Sequence, residues 1–217
     1  MADFTIYIGN KNYSSWSLRG WLMLKHTGAE FAEEVIPLDE ANTRANILRR
    51  SPSGRVPALL HGDQVIWDSL AIGEYLAELF PKAQLWPKAA KARSLARSVS
   101  LEMHAGFQAL RSHLPMNIRS SFPNRGVTPE AQADINRITA AWRDCRKRFG
   151  ESGEFLFGHF TIADAMYAPV VSRLRTYKIE LQDDTQAYAD AVWALPALQE
   201  WATAARNEPM IIEKYEF

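Results

Sequence analysis

The sequence predicts an α/β domain of order βαβαββα followed by an all-α helical bundle domain, and three observations carry that prediction. Short β-branched and aromatic runs alternate with helical patterns only in the first 80 residues, Pro81 to Pro87 is linker-like, and no alternating strand pattern recurs beyond it. A chain of 217 residues holds one large domain or two small ones. The change of character sets the division at residues 1–80, a linker at 81–87 and a helical domain at 88–217.

Phe4 to Gly9 reads as a first strand that enters a loop at Asn10 to Ser14. From Ser15 the apolar Leu18, Trp21, Leu22 and Met23 fall near helical spacing, with Gly28 placed to end the helix. Glu33 to Leu38 reads as a second strand whose Pro37 points to a sheet edge, and Thr43 to Arg50 has the composition of a short helix. The segments up to Leu60 and from Gln64 to Trp67 form a strand pair joined at Gly62-Asp63. Asp68-Ser69 opens a helix with Ile72, Tyr75, Leu76 and Leu79 on its buried face, ended by Pro81. In the second domain Ala89 to Leu114 is one long helical pattern. Thr128 and Pro129 start a helix that reaches Phe149, with Gly150 beyond and Ile135, Ile138, Trp142, Cys145 and Phe149 as its apolar stripe. Thr161 and Asp164 fit a capping box, and the later helices end near Ala205.

Composition removes several functions. Lys and Arg number 25, as do Asp and Glu, so no net field draws a polyanion and nucleic acid is not an expected partner. Apolar stretches are interrupted well before the roughly 18 residues of a membrane span, as at Asp164 within Ile162 to Val171. The opening Met-Ala-Asp-Phe carries an acid where a secretory signal carries basic residues, which predicts a cytoplasmic protein. The single cysteine, Cys145, excludes an internal disulfide, a CxxC pair and a Cys-rich zinc site. Its place in an apolar stripe predicts a buried small residue rather than a nucleophile. No metal site is expected.

Three features of the first domain carry chemistry. Tyr13 to Arg19 gathers hydroxyls at a helix start, where serine is also an ordinary cap. Val56-Pro57 stands at the head of a strand, either as a plain edge-strand start or as a cis peptide that turns the Val56 backbone toward a ligand. Asp68-Ser69 either caps a helix or joins free backbone N–H groups in holding an anion or zwitterion.

Taken jointly, these residues resemble the glutathione transferase family over essentially the whole chain. The block from Ser51 to Ile72, with Pro-Ser-Gly-Arg-Val-Pro-Ala-Leu, the hairpin turn and Asp-Ser-Leu-Ala-Ile, stands in the family's order, and Thr161 to Asp164 matches its helical-domain capping motif. Ser14-Ser15-Trp16-Ser17-Leu18-Arg19 is similar to the serine motif of the zeta class, which includes maleylacetoacetate isomerases, with Trp16 where that class has cysteine. The resemblance implies a thioredoxin-like first domain, glutathione as co-substrate, and a cytoplasmic homodimer acting in detoxification. It implies that Ser14 or Ser15 activates the glutathione thiol for attack on a small electrophile. Ser14 holds the first-serine position and is the expected activating hydroxyl, which leaves Ser15 to cap the helix; counting back from Arg19, as in theta-like sequences, chooses Ser15 instead. Arg55, Val56, Pro57, Asp68 and Ser69 would bind glutathione, with Arg44, Arg49 and Arg50 as further candidates for its glycyl carboxylate. Trp16, His104, Phe107 and Arg111 would line the electrophile pocket between the domains. A glutathione-dependent isomerase and a non-catalytic binding module are the alternatives.

The expected mechanism has a definite energetic size. A thiol titrates near 8.5, and lowering that by about two units takes roughly 2.7 kcal/mol. A serine is far too weak an acid to act as the base, but a charge-assisted hydrogen bond of about 1.5–3 kcal/mol from its hydroxyl to the thiolate supplies that amount.

Overall fold

A computed structural model describes residues 3–216. The first unit contains β1 (Phe4–Ile8), α1 (Ser15–His26), β2 (Phe31–Val35), α2 (Thr43–Leu48), β3 (Ala58–His61), β4 (Gln64–Trp67) and α3 (Ser69–Leu79). The strands form one mixed sheet in the order β2-β1-β3-β4, parallel between β1 and β2 and antiparallel elsewhere. Parallel neighbours need a crossover, and α1 provides it. Pro37, lacking an N–H, falls just beyond the edge strand β2, which begins two residues earlier than Glu33. Gly62 turns the β3–β4 hairpin with φ 61°, a value glycine takes without steric cost.

After a 3₁₀ turn at Pro81–Ala83 the second unit is helical: α4 (Ala90–Ala105), α5 (Gln108–His113), α6 (Pro129–Phe149), α7 (Ile162–Thr176), α8 (Asp183–Trp193) and α9 (Pro196–Asn207), with a last 3₁₀ turn at Glu213–Tyr215. The long pattern from Ala89 to Leu114 is therefore two helices. The break lies at Gly106, where a Cβ would come within 2.8 Å of the Glu102 carbonyl oxygen, and at Phe107, whose φ of 62° is left-handed. Arg111 reaches back from α5 and donates to the carbonyls of Gly106, at 3.0 Å, and Met103. It thereby satisfies acceptors that the end of α4 leaves open.

The start of α6 is as the sequence predicts: Thr128 accepts from the Ala131 N–H at 3.2 Å and Pro129 occupies the first turn. Cys145 is fully buried, and burial pushes its thiol up to about 12, so it is no nucleophile at neutral pH. Helix α7 is buried along nearly its whole length and packs against α1 and α4. Arg19 of α1 donates its Nε to the Met166 carbonyl of α7 at 3.0 Å, and this bond ties the two units together. Among the described residues no helix is long and apolar enough to cross a membrane.

Candidate active site

Strand β1 delivers the chain to the start of α1, where three serines organise the loop. Ser14 is the N-cap: its Oγ accepts the Ser17 N–H at 3.4 Å and donates to the Ser17 Oγ at 2.7 Å. Ser17 Oγ also accepts the Gly9 N–H at 2.9 Å. The capping role expected of Ser15 thus belongs to Ser14, because Ser15 is already the first residue of α1. The Ser15 hydroxyl has no hydrogen-bond partner among the described residues. The same holds for the Trp16 N–H, whereas the N–H groups of Ser15, Ser17 and Leu18 are all engaged. An unengaged hydroxyl and an unengaged amide therefore sit together at the positive end of the α1 dipole.

Trp16 lines two cavities, and Ser14 and Ser15 line the second of them. The first, of about 470 Å³, is lined by Trp16, Ser53, Arg55, Val56, Pro57, Trp67, Asp68, Ser69 and His104. The Val56-Pro57 peptide is cis. Pro57 lies against Gly20 of α1, where a Cβ would stand 3.0 Å from the proline Cγ, so the head of β3 is seated directly on the helix. Asp68 caps α3 with a left-handed φ of 74°. Its Oδ1 accepts the N–H groups of Leu70, at 2.8 Å, and Ala71, at 3.5 Å, while its Oδ2 lies 3.2 Å from His104 Nε2. Ser69 Oγ is buried without a partner among the described residues. Of the candidate arginines only Arg55 lines this cavity; Arg50 is paired with Glu34 at 3.3 Å.

The second cavity, of about 400 Å³, is lined by Tyr13, Ser14, Ser15, Trp16, Leu38, Asp39, Arg111, Pro115, Met116, Arg173, Ile212, Lys214 and Tyr215. Around the Trp16 ring, the guanidiniums of Arg19 and Arg111 lie 4.4 and 4.8 Å from the ring centroid and the His104 ring meets its edge at 5.1 Å. Burial, with repulsion from Arg111 and Arg173, pulls the Arg19 guanidinium down from its usual value. Burial lowers Arg111 as well, and burial with repulsion from Arg111 brings Arg173 down to about 9. At about 9, Arg173 stays charged at neutral pH.

The structure brings Trp16, Arg55, Val56, Pro57, Asp68, Ser69 and His104 to one cavity, and Ser14, Ser15, Trp16 and Arg111 to the other. Phe107 goes elsewhere. The left-handed turn at the α4–α5 break folds it into the hydrophobic core, and it lines neither cavity. Sequence reasoning missed Arg173, Lys214 and Tyr215. Arg173 did leave a signal, as a lone charge inside the apolar run from Ala165 to Leu174.

Residues 13–79 match the glutathione S-transferase N-terminal domain and residues 126–204 the glutathione S-transferase C-terminal domain. A probable maleylacetoacetate isomerase of Caenorhabditis elegans is 36% identical over 169 residues, 77% of each chain. Glutathione S-transferase 1 of Dianthus caryophyllus is 33% identical over 169 residues, 76% of this chain and 75% of its own. A glutathione transferase homolog from Burkholderia gl BGR1, solved with bound glutathione, superposes with a TM-score of 0.72 at 23% identity, covering 94% of this chain and 99% of its own. The chain belongs to the glutathione S-transferase family.

Proposed function

We propose that this glutathione transferase uses the Ser15 hydroxyl, together with the Trp16 N–H, to hold the thiolate of glutathione for attack on a small electrophile. One observation carries the assignment: the Ser15 hydroxyl is unengaged among the described residues and lines the second cavity beside Trp16, the residue that also lines the first. The tripeptide lies in the first cavity. The Val56 backbone pairs with its cysteinyl part, and the Asp68 carboxylate takes the γ-glutamyl ammonium. Ser69 Oγ and the start of α3 take the neighbouring carboxylate, and Arg55 takes the glycyl carboxylate. The sulfur reaches past Trp16 to Ser15, and the electrophile occupies the second cavity. The protein acts as a cytoplasmic homodimer.

Calorimetric titration with glutathione, followed by ultraviolet difference spectroscopy of the bound thiol, tests this reading. Saturable binding with a thiolate band at neutral pH supports it, and binding with no band at any pH below that of free glutathione's thiol overturns it. Sedimentation velocity checks the dimer. A second reading, isomerisation with glutathione returned unchanged, is favoured by the 36% identity to the probable isomerase, and stoichiometric consumption of glutathione would remove it.

Asp68→Asn separates binding from capping. Asparagine tolerates a positive φ and caps helices as well as aspartate does, but it offers no charge to an ammonium. The expected result is glutathione binding weaker by about tenfold, or about 1.4 kcal/mol, with little change in melting temperature. A fall in melting temperature at constant Kd would assign Asp68 to capping alone.

A further inference from the structure

The second cavity is walled by charge. Arg111 and Arg173 line it, and neither forms an ion pair with a carboxylate among the described residues. Arg111 donates to the carbonyls of Gly106 and Met103, and Arg173 to those of Leu114, at 2.8 Å, and Pro169, at 3.2 Å. Behind the Trp16 ring Arg19 is fully buried and donates only its Nε, leaving both terminal nitrogens without a partner. Backbone carbonyls satisfy hydrogen bonds but carry no net charge. Asp134 and Asp68 act on Arg111 and Arg19 only from longer range, and the one carboxylate on the lining, Asp39, is held by Lys214 at 2.5 Å.

Two guanidiniums on the lining of one cavity, with a third buried close enough to repel both, are costly unless something compensates them. A structural requirement for donors to backbone carbonyls would be met by neutral side chains, and it would not leave Arg19 half unbonded. From this charge placement we infer that the second cavity takes an electrophile that carries a carboxylate, held by Arg111 and Arg173, with its reactive carbon turned toward Ser15. The inference rests on the proposed thiolate at Ser15 and names the substrate class of that same site. In the reaction the sulfur forms a bond to the electrophilic carbon while the leaving group departs with its bonding pair. The guanidiniums hold the carboxylate and exchange no proton.

Two matched probes test this: 4-chloro-3,5-dinitrobenzoate and its methyl ester, which share the reacting carbon and the chloride leaving group. The expected result is a kcat/KM for the acid at least tenfold above that for the ester, once each is divided by its uncatalysed rate with glutathione. The advantage should shrink as ionic strength rises. Arg111→Gln and the exposed-site variant Lys214→Ala should each reduce it, the former by about tenfold. An equal rate, or a preference for the ester, overturns the inference while leaving the thiolate assignment standing. Should neither probe react, the proposed function fails, and calorimetry with unreactive 3,5-dinitrobenzoate and its methyl ester still decides. Tighter binding of the acid supports the anionic cavity, and equal or weaker binding overturns it.

Discussion

Asp164→Ala is expected to destabilise the folded chain by about 3–5 kcal/mol, a large part of the 5–15 kcal/mol that separates folded from unfolded domains. The carboxylate is fully buried at the start of α7 and accepts four hydrogen bonds. Its Oδ2 takes the Thr161 N–H at 2.8 Å and hydroxyl at 2.9 Å, and its Oδ1 takes the Leu156 N–H and the Tyr188 hydroxyl, each at 3.1 Å. Alanine leaves all four donors buried. The hydroxyls can turn to other acceptors, but the two backbone N–H groups cannot, and each orphan costs about 1–3 kcal/mol. Urea unfolding monitored by circular dichroism measures the change; a loss under 1 kcal/mol would mean that water replaces the carboxylate. The pH dependence follows from burial, which raises this carboxyl above its ordinary value despite the hydrogen bonds that lower it. The folded state then holds the proton to higher pH than the unfolded one, so Asp164 contributes less stability as pH rises from about 3.9 through its folded value. Stability of Asp164→Asn should fall less over that interval.

The capping box at Thr161 and Asp164 was legible because its information is local, a hydroxyl and a carboxylate three residues apart. The same holds for Thr128-Pro129 and for the hairpin turn at Gly62-Asp63. The break between α4 and α5 was not legible, since Gly106 fits a helix by periodicity and the left-handed turn at Phe107 is stabilised by Arg111, a residue beyond the break. The candidate site divides in the same way. Val56-Pro57 and Asp68-Ser69 lie in short contiguous segments with strong backbone signatures. The charged wall at Arg111, Arg173 and Lys214 is assembled from helices and a C-terminal turn far apart in sequence, and only the packing of α7 against α1 brings Arg173 toward Arg19. Phe107 shows the converse: it has a helical position beside His104 and Arg111, but a backbone turn sends it into the core.

Ser15→Ala is expected to raise the pKa of the bound glutathione thiol by one to two units, or about 1.4–2.7 kcal/mol, with little loss of glutathione affinity at a pH where the thiol stays protonated. The two adjacent serines differ in what their hydroxyls already do. Ser14 accepts the Ser17 N–H and gives its proton to the Ser17 Oγ, so binding a thiolate would cost it an existing hydrogen bond. Ser15 has none to lose and lines the cavity beside the unengaged Trp16 N–H. A new charge-assisted bond therefore contributes nearly its full strength at Ser15 and only the difference between two bonds at Ser14. Ser14→Ala should instead lower stability by about 1 kcal/mol, the usual cost of an N-cap serine. It should move the thiol's pKa by less than half a unit. Spectroscopic pH titration of each variant with bound glutathione, beside urea unfolding of the same variants, separates the roles. If Ser14→Ala abolishes the thiolate while Ser15→Ala keeps it, the activating hydroxyl is Ser14, which then exchanges its bond to Ser17 for one to the sulfur. If both variants keep the thiolate, the Trp16 N–H and the positive end of α1 suffice to stabilise it.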